Sequence, residues 1–100
     1  MFMGPKAIEI AIEDCMQLYQ RESDLPYLIA VWPRELKDYS VGGTEYIIER
    51  IHKVVRAHYR AALQGHWSYG DGNRLIALRA ALGAEKARLE HLKSAQGEAA

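Results

Sequence analysis

The stretch Thr44–Gly65, TEYIIERIHKVVRAHYRAALQG, decides the fold. Its apolar positions Ile47, Ile48, Ile51, Val54, Val55, His58 and Ala62 recur at three-, four- and seven-residue intervals, the period of one face of an α-helix. Thr44 follows the pair Gly42 and Gly43 and is read as the N-cap, its hydroxyl accepting from a first-turn N–H, with Glu45 at the positive end of the helix dipole. Gly65 supplies the left-handed residue that commonly closes a helix. The helix is expected at the centre of the core. Its opposite side, Glu49, Lys53, Arg56 and Arg60, reads as solvated, with Glu49 and Lys53 forming an i,i+4 pair worth ~0.3 kcal/mol.

On the N-terminal side, Pro5 suits a first helical position, and Ile8, Ala11, Ile12, Cys15, Leu18 and Tyr19 share a face, predicting a helix from about Pro5 to Arg21 with Cys15 as a core thiol. The run Leu25–Trp32, LPYLIAVW, has strand-like composition, but no second such run exists to pair with it. It is therefore read as a short buried helix, about Leu25 to Val31, capped by Ser23 or Asp24, with a loop or single helical turn from Pro33 to Tyr39.

On the C-terminal side, GHWSYGDGN (residues 65–73) is a connection carrying two aromatics, and a helix is expected from about Asn73 to Lys93. Leu75, Leu78, Leu82, Leu89 and Leu92 occupy heptad a and d positions, with Glu85 in the remaining slot and Glu85–Arg88 and Lys86–Glu90 as flanking charge pairs. Gly83 inside this helix marks either a close helix approach or a weak point. Nothing from Ser94 onward anchors in a core. The expectation is an all-α fold: a compact bundle of three main helices plus one short helix in a single domain, residues 1–93, followed by a flexible tail, residues 94–100.

At 100 residues with 49% hydrophobic and 26% charged side chains, the chain is large enough for one core without metal or disulfide. The lone Cys15 excludes an internal disulfide, no apolar run approaches the ~20 residues of a membrane span, and a cytoplasmic location is the default. The net charge is zero, but residues 1–45 carry four basic and eight acidic side chains and residues 46–88 eight basic and three acidic. Such polarity is met by one half packing on the other, by self-association, or by an external polyanion.

Tests for chemistry fail on spacing. His52 and His58 lie about 120° apart on an ideal helix, too far to share an ion. The sequence GDGN lacks the lysine and spacing of a phosphate loop. No catalytic residue, metal site or cofactor is expected. A nucleic-acid reading would use a basic ridge of Lys53, Arg56, Arg60, Arg74 and Arg79, but the connection between the last two helices is too long for a helix-turn-helix. A protein-interaction reading rests on Trp67 and Tyr69, with His66 and Trp32, because aromatics are enriched at interfaces and loops tolerate functional residues.

The stretches GPKAIEIAIEDCMQLYQRESDL (residues 4–25) and GHWSYGDGNRLIALRAALGAEKARL (residues 65–89) resemble a family of short bacterial helical proteins, alphaproteobacterial in type and of unknown function. The resemblance implies a helical fold and supplies no catalytic residue. The leading expectation is a small non-enzymatic interaction module, an adaptor, regulator or inhibitor of a larger bacterial or phage assembly. Its partner would be another protein, with a homo-oligomer as a further possibility and a nucleic-acid-binding regulator as the alternative.

Overall fold

The computed structural model describes residues 5–65 and 71–99, and all their regular structure is helical. Three long helices, α1 (Pro5–Leu18), α4 (Val41–Leu63) and α5 (Asp71–Ala99), form the body. Between α1 and α4 lie two four-residue helices, α2 (Arg21–Asp24) and α3 (Pro33–Leu36), and a 3₁₀ turn over Leu25–Tyr27 that continues directly from α2. The all-α bundle is as expected, but its middle is not. α5, rather than α4, is the shared element, packing on α4 along one side and on α1 along another. Glu45 near the start of α4 lies 3.7 Å from Lys93 near the end of α5, so the two helices run antiparallel.

α4 presents Ile47, Ile51 and Val55 to the core, where they meet Leu78 and Ala81 of α5 together with Leu25, Ile29 and Leu36 of the connecting segment. Ile48, Val54, His58 and Ala62 are half-buried, so the 3.6-residue stripe is borne out, and Gly65 does take the left-handed conformation with φ +80°. The start of α4 differs from expectation. Ser40 is the N-cap, its hydroxyl accepting from the Gly43 N–H at 3.1 Å, and Gly42 and Gly43 lie inside the first turn. Thr44 is instead a fully buried helical residue.

Gly43 is needed for a close approach. A Cβ there would lie 2.6 Å from the carbonyl oxygen of Asp38, whereas one on Gly42 meets nothing within 4 Å. Gly42→Ala is therefore expected to raise stability by about 0.5 kcal/mol through helix propensity, and Gly43→Ala to lower it by about 1–3 kcal/mol through overpacking. Urea unfolding of the two variants measures the contrast.

α5 has two working sides. Leu78 is fully buried, and Leu75 and Leu82 pack against the core as the heptad reading predicts. The side toward α1 carries small residues, among them Ala80, which is buried, and Gly83. A Cβ on Gly83 would come within 2.7 Å of Met16 Sδ, so this glycine marks close helix approach rather than a weak point. The helix also starts earlier, at Asp71, and its described backbone is helical to Ala99.

α1 ends at Leu18, three residues before the expected boundary. Gln20 is extended (φ −129°, ψ 119°), and its N–H donates to the Asp24 carboxylate at 2.8 Å, which starts α2 anew at Arg21. The short helix expected over Leu25–Val31 is likewise only partly formed. The 3₁₀ turn ends at Tyr27, and the chain is non-helical from Ala30 to Trp32, ahead of Pro33, whose ring disfavours helical geometry in the residue before it. Pro33 then opens α3, where the Trp32 N–H donates to the Glu35 carboxylate at 2.8 Å.

Among the described residues, no helix is long and apolar enough to cross a membrane.

Candidate protein-interaction surface

The segment between α1 and α4 is held from beneath by one arginine. Arg21 is buried, with its side chain and that of Glu85 each 1% exposed, and all five of its N–H groups are used. Nε donates to Glu85 Oε2 at 2.9 Å and Nη2 to Glu85 Oε1 in a forked pair. Nη1 donates to the carbonyls of Asp38 (2.8 Å) and Leu36 (3.4 Å), and Nη2 also donates to Thr44 Oγ1 at 3.3 Å. One side chain thus ties α2 to α5, to the end of α3, to the loop before α4 and to the first turn of α4. The Tyr19 hydroxyl adds a 2.9 Å bond to Glu85 Oε2. Burial, reinforced by the Glu85 charge, pushes the Tyr19 phenol well above its usual range, so it stays a donor at every physiological pH. The Tyr39 ring receives the guanidinium carbons of both Arg21 (4.3 Å to the centroid) and Arg88 (4.9 Å).

This places Glu85 differently from the sequence reading. The heptad slot points it into the core, and its partner is Arg21, sixty-four residues away, rather than Arg88 on its own helix. A buried carboxylate needs a charged, fully hydrogen-bonded partner, and only the arginine fork supplies one.

The outer side of the same segment is apolar and open. Leu18 is 78% exposed, Tyr27 87% and Trp32 67%. A groove of about 330 Å³ runs between α1, the 3₁₀ turn and α5, lined by Cys15, Leu18, Tyr27 and Leu28 with Ala77 and Ala80. A second groove of about 320 Å³, lined by Pro26, Ile29, Ala30, Val31, Trp32 and Arg50, opens on the other side of the turn. The neighbours Pro26 and Tyr27 line one groove each. Arg50 closes the second by donating to the Ala30 carbonyl and, at 3.0 Å, to the Tyr46 hydroxyl. The Glu35 carboxyl is held below its usual range, chiefly by the Trp32 N–H and then by Tyr46, and Asp38 likewise by the Ser40 hydroxyl and N–H.

Cys15 and Leu18, placed in the core by periodicity, are therefore both exposed. α1 leans on α5 through Ile12 and Met16, and the flank bearing Cys15 and Leu18 is left uncovered. Of the interaction residues read from the sequence, Trp32 stands on this surface, while His66, Trp67 and Tyr69 lie outside the described residues. Periodicity alone gave no sign that Leu18 and Tyr27 would be exposed. The basic ridge is split. Lys53, Arg56 and Arg60 line the outer face of α4, with Arg56 3.4 Å from Glu49; Arg74 donates to the Leu28 carbonyl at 3.1 Å, and Arg79 is exposed on α5. Arg74 and Arg79 stand about 140° apart on their helix and do not extend the α4 face.

Comparison with protein-family models, with curated proteins and with solved structures finds no match to this chain.

Proposed function

We propose that the chain is a small non-enzymatic protein-interaction module of the cytoplasm, an adaptor, regulator or inhibitor of a larger bacterial or phage assembly. The observation that carries this reading is the exposure of Leu18, Tyr27 and Trp32 at two grooves that flank a segment fixed by Arg21. Large apolar side chains grouped on a rigid surface mark an interaction site, and aromatics in such positions supply most of the binding energy. The non-enzymatic reading is supported by the fate of the buried charges. Arg21 and Glu85 are consumed in bonds to one another and to the backbone, and the Tyr19 hydroxyl is committed to Glu85.

The test is affinity capture from the native host with wild type and with Tyr27→Ala and Trp32→Ala. Each substitution is expected to reduce partner recovery by about tenfold or more, the cost of an interface hot spot, while circular dichroism stays unchanged. Undiminished recovery with both variants overturns the reading, and salt-sensitive capture of DNA or RNA through Lys53, Arg56 and Arg60 would replace it with the nucleic-acid alternative.

A further inference from the structure

α1 is attached to the rest of the molecule at its end and along its length. At the end, the Tyr19 hydroxyl is tied to Glu85, and the extended Gln20 separates the helix from α2. Along its length α1 packs on α5 through the buried Ile12 and the half-buried Met16. This second attachment turns on one thioether. A Cβ on Gly83 would lie 2.7 Å from Met16 Sδ and 3.0 Å from Met16 Cε, so the methionine occupies the space that a side chain on α5 would need. Gly83 lets the helices meet here, and the flexible, polarizable Met16 side chain fills the gap. The other side of Met16 is open. Together with Glu13, Gln17, Ala84 and Ala87 it lines a groove of about 420 Å³, so a small solute reaches the residue whose sulfur is packed on the opposite helix.

We propose that Met16 is an oxidation-sensitive latch, whose conversion to the sulfoxide by a peroxide releases α1 from α5. In that step a sulfur lone pair attacks one peroxide oxygen and the O–O bond breaks. The attacked oxygen stays on sulfur, and the other takes up its proton and leaves as water; sulfur is oxidised by two electrons and the peroxide reduced by two. A flexible apolar side chain becomes a polar, chiral one. The α5 surface against it, Gly83, Ala84 and Ala87, offers no side-chain hydrogen bond, so the sulfoxide is better satisfied by water than by the interface. Among the described residues α5 is the one helix on which α1 packs extensively, so nothing else holds it when this contact fails. The Tyr19–Glu85 tie is untouched, and the α4–α5 core stays in place. Cys15 and Leu18 move with α1; on the reading of their groove as an interaction surface, oxidation withdraws part of that surface.

Amide hydrogen exchange on the full chain before and after treatment with hydrogen peroxide tests the latch without any partner, with peptide mass mapping to locate the sulfoxide. Conversion of Met16 is expected to speed exchange over Ala11–Leu18 by about tenfold or more while Ile47–Val55 keeps its protection, and a methionine sulfoxide reductase is expected to restore the slow rates. Met16→Leu conserves volume and is expected to remain folded by circular dichroism and to keep slow α1 exchange through the same treatment. Cys15→Ser, which removes the neighbouring thiol, is expected to respond as wild type does. A Met16 left unoxidised when Met1 and Met3 are fully converted, an oxidised Met16 with unchanged α1 exchange, or a peroxide response that survives Met16→Leu or disappears with Cys15→Ser overturns the proposal. Because these readouts involve no partner, their failure leaves the interaction reading intact, and failure of partner capture leaves the latch intact.

Discussion

Glu85→Ala is expected to destabilise the protein by about 3–5 kcal/mol, enough to leave a domain of this size largely unfolded at 37 °C. The cost is more than a lost ion pair. Removal of the carboxylate strands a guanidinium that is 1% exposed, leaves Nε without its acceptor and leaves the Tyr19 hydroxyl without its own. Arg21→Ala is expected to cost a similar amount, because Glu85 is then a buried unpaired carboxylate and the carbonyl of Asp38 loses its 2.8 Å donor. The double variant Arg21→Met with Glu85→Leu separates the pair's net worth from the penalty of breaking it. It is expected to be markedly more stable than either alanine variant, since well-packed apolar replacements of buried ion pairs are commonly neutral or better. Urea unfolding of wild type, the two alanine variants and the double variant makes this comparison, and a double variant as unstable as Glu85→Ala would show that the tie to α3 and α4 matters more than the charges. The double variant should also loosen the Leu25–Trp32 segment, because Arg21 is its anchor to the Leu36 and Asp38 carbonyls. Reduced binding by a stable double variant would therefore link the buried pair to the surface it supports.

How far the sequence revealed this arrangement depends on what each pattern measures. The α4 stripe was legible because Ile47, Ile51 and Val55 obey a single period over about two turns and all of them are covered. The same period on α1 grouped Ile12, Cys15 and Leu18 on one face, but spacing reports only which residues share a face and not whether a neighbour reaches them. Ile12 is covered by α5, while Cys15 and Leu18 border an open groove. The Arg21–Glu85 pair was half legible. Glu85 in a heptad slot was out of place for a solvated residue, yet nothing local identified an arginine at the end of a different helix as its partner. The cap of α4 was misplaced because two glycines in a row read as a linker. In the structure Gly43 is required inside the first turn by the approach of Asp38, and Ser40 stands ahead of it as a conventional cap. Of the protein-interaction residues read from the sequence, Trp32 is the one among the described residues, and it falls on the proposed surface; Leu18 and Tyr27 were hidden by their resemblance to core residues.

The difference between covered and uncovered members of one pattern gives the second large effect. Ile51→Ala is expected to cost about 2–5 kcal/mol, the range for truncating a large aliphatic side chain in a packed core, because Ile51 is fully buried among Ile47, Val55 and Leu78. α4 is held by long packing on α5 and by Leu25, Ile29 and Leu36 of the connecting segment and cannot collapse into the space, so the upper half of that range applies. Leu18→Ala removes a side chain of equal size from an equally regular helical stripe, yet at 78% exposure it is expected to change stability by less than about 0.5 kcal/mol. Denaturation midpoints of the two variants measure the contrast directly, and a Leu18→Ala loss comparable to that of Ile51→Ala would mean that the groove is closed in solution. The same pair separates folding from binding. Ile51→Ala should lower partner recovery only in proportion to the fraction unfolded, whereas Leu18→Ala should lower it in a protein that remains fully folded, because its apolar surface is available to a partner rather than to the core.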